Sequence, residues 1–374
     1  MIAGADFTTL AEVEANGGRF YDYNGREIDL VEFLASQGIT SARLRLWLDP
    51  YGKNGEPYLG GTTDEKCVMG LVERADRAGM SIMLDLHYSD FWADPGRQMI
   101  PKVWQGMESA AMADALYEYT ARTLDRFVRT GADIESVQVG NEITNGMLWP
   151  AAALTAGKPR RGYDELARFL RRGTEAVRTS SDALSILHLE NSGNNAIWTE
   201  WFDEITARGV VFDEIGASYY PYWHGSLEAM RDNLSAVAER YDRDIRIVET
   251  SYAFTSNRYP TTAKDPVSLC MTNDDNTRFD GFPMPYAATP EGQCDYLRAL
   301  FSAAASIPGG RCKGIYWWEP AWIPAGSSGW ASDAALGYCH EEGKKKGNEW
   351  ANQCLFDYSG HVLPALKFFG QMAK

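Results

Sequence analysis

Eight short runs of strand-forming residues recur along this chain, and segments with helical periodicity separate them. This recurrence constrains the fold more than any other feature of the sequence. Helical periodicity is clearest in residues 64–79, 112–130, 164–179 and 226–241. Strands that alternate with helices predict a parallel sheet, and eight such units predict an α/β protein with a closed (β/α)8 TIM barrel. The eight runs cover residues 2–7, 40–47, 81–88, 136–142, 184–191, 214–220, 244–250 and 313–320.

The chain length admits two domains or one large barrel, and the rest of the sequence favours one. The chain has 374 residues and contains no low-complexity tract or linker. Residues 253–289 are rich in Pro, Asn, Asp and Thr, and their position after the seventh strand marks them as a long βα loop. We therefore predict a single catalytic barrel domain over residues 1–374, with long βα loops after strands seven and eight.

The net charge and the number of aromatic residues indicate which ligands this chain is suited to bind. A net charge of -15 disfavours nucleic acid, anionic lipid and polyanionic substrates, because like charges repel. No apolar stretch is long enough to cross a membrane. The 12 Trp and 19 Tyr residues favour a neutral carbohydrate, since aromatic rings pack against flat sugar faces. We expect a monomer that binds such a ligand.

The cysteines predict the cellular compartment. No CxxC pair is present, which disfavours a zinc ribbon. Disulfides that clamp long loops in an exported protein are expected, and buried free thiols are the alternative. We predict the pairs Cys339–Cys354 and Cys270–Cys294, and hence an extracellular or cell-surface protein whose signal peptide is absent from this sequence. The remaining cysteines are Cys67 and Cys312.

Polar and aromatic side chains stand at the C-terminal ends of all eight predicted strands. In a barrel these ends converge on the face where barrel enzymes carry their chemistry. Asp6 and Asn191 are equally suited to cap the following helices, whereas arginine, histidine and tryptophan are poor caps. The strand-end groups are Asp6, Arg45, Trp47, Asp85, His87, Asn141, Glu142, Glu190, Asn191, Tyr219, Tyr220, Glu249, Trp317, Trp318 and Glu319.

Glu142 and Glu249 end the fourth and seventh strands, which face each other across a closed barrel. Glycoside hydrolysis needs such a pair: one acid protonates the leaving oxygen, and one carboxylate attacks the sugar or activates water. Apolar neighbours are expected to raise the pKa of Glu142, which suits the acid. Arg45 and a tyrosine hydroxyl are expected to keep Glu249 ionised. A single glutamate would more simply pair with an arginine; two among aromatic residues favour catalysis.

The segment LDLHYSDFWADPG, residues 84–96, supplies further candidate substrate-binding residues. These are Asp85, His87, Asp90 and Trp92. His87 is suited to orient a carboxylate or to donate to a sugar hydroxyl, and a structural role fits it equally well. Metal catalysis is disfavoured, because the five histidines form neither His-x-His nor HExxH.

Several tryptophans lie on predicted strand ends and βα loops, where they could form stacking platforms for successive sugars. For any one of them, core packing is the simpler explanation. The candidates are Trp92, Trp149, Trp223, Trp318 and Trp322.

With these residues in order, the chain resembles the arabinogalactan endo-β-1,4-galactanases of glycoside hydrolase family 53. The resemblance spans essentially the whole chain, and HYSDFWADPG and GNEITNGMLWP are its most specific motifs. It also rests on GADFT, ARLRLW, GASYYPYW, VETSYAF, YWWEPAWIP and NQCLFDYSGHVLPAL.

The resemblance implies a (β/α)8 barrel of the large clan of retaining hydrolases, acting on the neutral β-1,4-galactan side chains of pectin. It implies that Glu142 is the acid/base and Glu249 the nucleophile. It also implies an exported protein, as is typical of the family's bacterial members. The further site residues that it implies are Arg45, His87, Asn141, Trp318 and either Tyr219 or Tyr220, of which Tyr220 is preferred.

The last predictions concern a calcium site and three alternative functions. Some bacterial members of the family hold calcium after strand seven, but residues 272–281 here, TNDDNTRFDG, depart from that pattern. Asp274, Asp275, Asn276 and Asp280 are weak candidate ligands, and no cofactor is expected to be required. The rivals are a β-mannanase or β-glucanase on the same barrel, a non-catalytic carbohydrate-binding barrel, and a metal-dependent hydrolase.

Overall fold

The computed structural model describes residues 1–154, 161–259, 284–344 and 346–372. Eight parallel strands close into one barrel, in which each strand pairs with its sequence neighbours and the first pairs with the last. The predicted (β/α)8 barrel is therefore confirmed. The strands are β1 (Ile2–Asp6), β2 (Ser41–Leu46), β3 (Ser81–Leu86), β4 (Ile134–Val139), β5 (Leu184–Leu189), β6 (Glu214–Tyr219), β7 (Asp244–Thr250) and β8 (Cys312–Trp318).

Helices follow the strands and cover the outside of the barrel. Several begin at a residue whose side chain accepts a backbone N–H of the first turn, including Asp29, Asp64, Ser226 and Thr289. The helices are α1 (Leu10–Ala15), α2 (Leu30–Ser36), α3 (Glu65–Arg77), α4 (Ser109–Val128), α5 (Arg161–Ser180), α6 (Asn195–Ala207), α7 (Leu227–Tyr241), α8 (Pro290–Ala305), α9 (Asp333–Tyr338) and α10 (Pro364–Met372).

The strands are buried on both faces, which explains why their sequences are nearly continuous apolar runs. Inside the barrel, Met83, Ile186, Val248 and Tyr316 form a fully buried layer. Gly4 makes room for this layer, since a Cβ at its position would lie 2.1 Å from the Tyr316 ring. The barrel interior is thus a packed core, and ligands are confined to its open end.

The N-terminal end of the barrel is closed by one buried ionic cluster. The guanidinium of Arg246 pairs with Glu135 and, at 2.5 Å, with Glu214. It also contacts the hydroxyl of Tyr316 at 3.2 Å, and that hydroxyl donates to Ser41 at 3.0 Å. The cluster ties β2, β4, β6, β7 and β8 together below the apolar layer.

The C-terminal end is covered by βα loops with a small core of their own. Trp47 and Phe91, from the loops after β2 and β3, pack with Ala331, Ala335 and Leu336 from the loop after β8. This packing gives the long loop after β8 a fixed position over the barrel mouth. Residues 260–283 of the predicted loop after strand seven, including all four weak calcium candidates, lie outside the described residues.

The predicted disulfide between Cys339 and Cys354 is wrong. Both are free thiols: Cys339 follows α9 and contacts Glu341, whereas Cys354 is buried and donates to the carbonyl of Glu319. Cys294 is also a free thiol, and its predicted partner Cys270 lies outside the described residues. Among the described residues, no helix has the length and apolar character needed to span a membrane.

Candidate active site

A cavity of about 690 Å³ opens at the C-terminal ends of the strands. Glu142 and Glu249 both line it, as do His87, Asn141 and Tyr220. Six tryptophans contribute to its walls: Trp92, Trp223, Trp318, Trp322, Trp330 and Trp350.

Glu142 reaches the cavity through a strained turn. β4 ends at Val139, and Gly140 and Glu142 then adopt positive φ angles of 82° and 47°. Positive φ is unfavourable for a residue with a Cβ, and such residues concentrate at functional sites. The turn redirects the chain so that the Glu142 carboxylate faces the cavity and its Oε1 accepts a hydrogen bond of 2.6 Å from Ser218 Oγ.

The surroundings of Glu142 favour its protonated form. Burial raises the pKa of Glu142 well above its ordinary value of 4.5, and the charges of Glu249 and Glu190 raise it further. The hydrogen bond from Ser218 opposes this shift. No described cation pairs with this carboxylate, so the group is suited to hold a proton near neutral pH.

Glu249 has the opposite surroundings, and it is buried whereas Glu142 is half-buried. Its Oε1 pairs with Arg43 at 2.9 Å, and its Oε2 accepts from the Tyr220 hydroxyl at 2.9 Å. Burial raises the pKa of Glu249 to about 7, and Arg43 and Tyr220 act against that rise. Glu249 therefore ionises more readily than Glu142, and the Glu249 charge in turn helps to keep Glu142 protonated.

The arginine beside Glu249 is Arg43, so the prediction that Arg45 fills this place is wrong. Arg43 also pairs with Asp6 at 2.8 Å and Asp85 at 2.9 Å. Arg45 instead pairs with Glu319 at 2.6 Å. Alternate residues of a strand share one face, so both arginines point into the barrel, and only the packed structure shows which one reaches the seventh strand.

Arg45 packs against two of the tryptophans that line the cavity. Its guanidinium lies 4.3 Å from the ring centroid of Trp92 and 5.7 Å from that of Trp318. Arg45 is fully buried and is absent from the cavity lining. We therefore correct its predicted substrate contact to an indirect role through these two tryptophans.

His87 lines the cavity, and its hydrogen bonds identify its tautomer. The N–H groups of Trp47 and Ala93 both point to Nδ1, at 3.1 Å and 3.0 Å. Nδ1 must therefore be unprotonated, so Nε2 carries the hydrogen and donates to Asp85 at 3.0 Å. Asp85 is fully buried behind His87, and its predicted contact with substrate is corrected to a role in holding His87 and Arg43.

Asp90 lies outside the cavity lining, which corrects another predicted substrate contact. Its carboxylate accepts the backbone N–H of Asp49 at 3.0 Å and that of Lys102 at 2.7 Å. Burial raises the pKa of Asp90 to about 6. Because one oxygen binds the loop after β2 and the other binds a later part of its own loop after β3, Asp90 fixes the loops after β2 and β3 to each other.

The tryptophans form one continuous wall of the cavity. Trp92 packs against Trp318 and Trp322 at centroid distances of 5.9 Å and 6.1 Å. Trp318 also packs edge-on against Trp350 at 4.8 Å, and Trp350 stacks on Trp223 at 6.4 Å with an interplanar angle of 19°. Trp149 is absent from the lining; its indole N–H instead donates to the Asn145 carbonyl within its own loop.

Sequence reasoning missed several residues of the site. Gln138 and His188 had a detectable signal, since each is a polar residue inside an otherwise apolar strand. Trp330 and Trp350 had no such signal in the sequence, because they come from the long loop after β8, whose path depends on tertiary packing. Among the described residues, no cluster of three or more His, Cys, Asp or Glu side chains is arranged to hold a metal ion.

Comparison with known proteins agrees with this geometry. The chain matches the model described as "Glycosyl hydrolase family 53" over residues 2–369. It is 35% identical over 386 residues to the endo-β-1,4-galactanase of Bacillus subtilis (strain 168), an alignment that covers 98% of this chain and 85% of that protein.

Two solved structures are similar over nearly the full length. One is the family 53 catalytic domain of Ignisphaera aggregans, with a TM-score of 0.86 and 31% identity over 99% of this chain and 95% of that one. The other is a fungal β-1,4-galactanase structure, with a TM-score of 0.76 and 27% identity over 98% of both chains. The resemblance seen in the sequence motifs is confirmed: the chain belongs to glycosyl hydrolase family 53 and is a glycoside hydrolase.

Proposed function

We propose that this enzyme is an endo-acting, retaining β-1,4-galactanase that cleaves galactan and arabinogalactan side chains of pectin. One observation carries the mechanism: two carboxylates share one cavity, and among the described residues only Glu249 has a cation beside it. This asymmetry separates their pKa values and assigns the acid and the nucleophile. The substrate follows from the relatives, whose names specify β-1,4-galactanase activity.

In the first step, ionised Glu249 attacks the anomeric carbon while protonated Glu142 donates its proton to the departing glycosidic oxygen. The C–O bond to the leaving chain breaks as the ester bond to Glu249 forms. Tyr220 and Arg43 hold the Glu249 carboxylate in place before the attack.

In the second step, Glu142, now ionised, removes a proton from water. The resulting hydroxide equivalent attacks the anomeric carbon, and Glu249 leaves as a carboxylate. Two inversions restore the β configuration, and Glu142 regains its proton for the next cycle.

The tryptophan wall supports a neutral polymer as substrate, because its rings provide stacking positions for successive sugars. We propose cleavage within the chain rather than at its end, because the name of the relative from Bacillus subtilis specifies an endo-β-1,4-galactanase. A digest of linear galactan should therefore show a rapid fall in polymer length before monosaccharide accumulates.

The stereochemistry of the first product tests the mechanism. Early NMR spectra of a galactan digest should show the β-anomer at the new reducing end, whereas initial α-anomer would exclude double displacement. Glu249→Ala should lose activity and, with azide, form an α-glycosyl azide. Glu190→Ala is the matched control from the same cavity, because azide should give no such product with it.

Substrate tests separate the proposal from its rivals. Activity on galactan should exceed activity on mannan, cellulose and xylan; a preference for mannan or cellulose would favour a β-mannanase or β-glucanase. Tight oligosaccharide binding without turnover would indicate a non-catalytic barrel. Loss of activity in excess EDTA would favour the metal-dependent hydrolase.

We further propose that residues 1–374 act as one catalytic domain, as a monomer, outside the cell or at its surface. The size of a polysaccharide substrate supports this location, because cleavage must precede uptake. Light scattering of the purified protein tests the monomer, and activity in culture medium and on washed cells against that in lysate tests the location.

A further inference from the structure

Helix α1 carries a buried carboxylate, Glu12, that binds two loops at once. Its Oε2 accepts the backbone N–H of Gly61 at 2.8 Å. Its Oε1 accepts hydrogen bonds from the Ser328 hydroxyl at 2.9 Å and from the backbone N–H of Gly329 at 3.2 Å. The first partner lies in the loop after β2 and the other two in the loop after β8. Glu12 therefore links the loops that follow the two strands on either side of β1.

The two linked segments also bind each other. The backbone N–H of Gly60 donates to the carbonyl of Gly329 at 2.7 Å. A Cβ at Gly61 would lie 3.0 Å from the carbonyl oxygen of Thr8, so the segment after β2 packs closely against the residues that precede α1. Residues 60, 61, 328 and 329 thus meet beside α1, and we call these four residues the loop junction.

Three rings of the tryptophan wall contact the loop junction or the residue next to it. The indole N–H of Trp92 donates to the carbonyl of Trp330 at 2.9 Å. The Trp92 ring lies against Gly60, where a Cβ would come within 2.7 Å of Cζ2. The indole N–H of Trp322 donates to the Ser328 hydroxyl at 3.4 Å. All three tryptophans line the cavity, so their positions depend on how the loop junction is held.

Only an ionised carboxylate satisfies the donors that meet at Glu12. Backbone N–H groups point at both of its oxygens, from Gly61 at Oε2 and from Gly329 at Oε1. A carboxylate accepts at both oxygens, whereas the amide of glutamine accepts at one end and donates at the other. Glutamine at this position would leave one backbone N–H facing another donor. Glu12 is 9% exposed, so water does not readily replace the lost acceptor, and the backbone there must shift.

We propose that Glu12 is a positioning residue for substrate binding, which holds three rings of the tryptophan wall in place by fixing the loop junction from α1. This inference rests on the proposed function, because it treats these rings as stacking positions for the sugars of a galactan chain. Glu12 lies outside the cavity lining. Its loss should therefore weaken binding of the substrate and leave the chemical step at Glu142 and Glu249 largely unchanged.

The test is the separation of KM from kcat in Glu12→Gln. KM for linear galactan should rise about tenfold, equivalent to about 1.4 kcal/mol of lost binding. The value of kcat should change less than about twofold, the pattern expected when binding alone is weakened. Asn16 Oδ1, which accepts the N–H of Ser327 at 3.0 Å, keeps the loop after β8 attached to α1 in the variant. An unchanged KM, or a fall in kcat at unchanged KM, would overturn the proposal.

A matched control lies on the same helix. Glu14 pairs with Arg74 at 2.7 Å and is not part of the loop junction, so Glu14→Gln should leave both kinetic constants near their wild-type values. An equal rise of KM in Glu14→Gln would overturn the proposal, because it would show a general disturbance of α1. Ser328→Ala removes one of the three donors to Glu12 and should raise KM about threefold. If Glu12→Gln does not fold, Ser328→Ala carries the test, and an unchanged KM in it would count against the proposal.

A direct measurement needs no substrate. Hydrogen exchange of the indole N–H groups, followed by NMR, should be faster for Trp92 and Trp322 in Glu12→Gln than in the wild type. Trp201 is the internal control, since its indole N–H donates to the carbonyl of Ile143 at 3.1 Å, away from the loop junction. Wild-type enzyme without activity on galactan would refute the proposed function. An active enzyme whose KM and indole exchange are unmoved in Glu12→Gln would refute only the role of Glu12.

Discussion

The two ends of the barrel both bury arginines among carboxylates, but in different proportions. At the N-terminal end, Arg246 alone pairs with Glu135 and Glu214. At the C-terminal end, two arginines serve four paired carboxylates, and two further strand-end carboxylates line the cavity without a described cation. Those six are Asp6, Asp85, Glu142, Glu190, Glu249 and Glu319.

The difference shows that one end of the barrel stabilises the fold, whereas the other end provides groups suited to proton transfer. At the N-terminal end, Arg246 pairs with both Glu135 and Glu214, and this ionic cluster closes the barrel. At the C-terminal end, burial raises the pKa of Glu249 and of Glu319 to about 7 each, and neighbouring carboxylates add to the rise. Groups that titrate near neutral pH are suited to proton transfer, at a cost in folding stability.

The largest expected effect lies at the C-terminal end. Glu249→Gln removes the proposed nucleophile and should lower kcat/KM on galactan by more than about 10⁴-fold, as expected when one member of a catalytic set is lost. Thermal unfolding should show no destabilisation, because the variant removes a buried titratable carboxyl. Substantial remaining activity would contradict the assignment.

The matching change at the N-terminal end should affect stability instead. Arg246→Met leaves two carboxylates without their cation, one of them nearly buried, and should lower the free energy of unfolding by about 3 kcal/mol. Urea titration measures this loss. Below the unfolding transition, kcat/KM should stay near the wild-type value; a fall comparable to that of Glu249→Gln would show that the two ends are not independent.

Tyr220→Phe should have an intermediate effect. The variant removes a hydrogen bond to ionised Glu249, and bonds to charged groups contribute about 1.5–3 kcal/mol. The pKa of Glu249, about 7 in the wild type, should rise. The acid limb of kcat/KM should therefore move to higher pH by about one unit, and an unmoved limb would show that Tyr220 does not act through Glu249.

The smallest effect concerns stability against pH. In the folded protein the pKa of Glu142 is raised above its ordinary value of 4.5, so the unfolded chain ionises first as pH rises. The contribution of Glu142 to the free energy of unfolding is therefore fully present below pH 4.5. It falls as pH rises toward the pKa of Glu142 in the folded protein, by up to about 1.4 kcal/mol per pH unit. Glu142→Gln should therefore gain stability relative to wild type between pH 5 and 8; parallel curves would contradict this.

The sequence allowed much of this to be predicted. Strand periodicity located all eight barrel strands to within three residues at each end, because buried parallel strands require apolar runs of limited length. The motifs around Glu142 and Glu249 identified the family. Tyr220 was preferred over Tyr219, and it is Tyr220 that donates to Glu249. The catalytic roles themselves stay predictions until they are measured.

Other features required the packed structure. Arg43 and Arg45 lie on the same face of one strand, so strand pattern could not show which one pairs with Glu249. The cysteine spacing suggested a disulfide between Cys339 and Cys354, yet the loop after β8 carries these two thiols to different surroundings.

The sequence by itself determined the barrel, the family and the two carboxylates, because apolar periodicity and local motifs act over a few residues. Only the tertiary structure decided which carboxylate has a cation, which tautomer His87 adopts and which tryptophans face the cavity. These properties depend on contacts between residues far apart in the sequence, such as Arg43 and Asp85, 42 positions apart, or Thr9 and Glu319, 310 positions apart. Burial then makes each contact strong, since water no longer screens the charges.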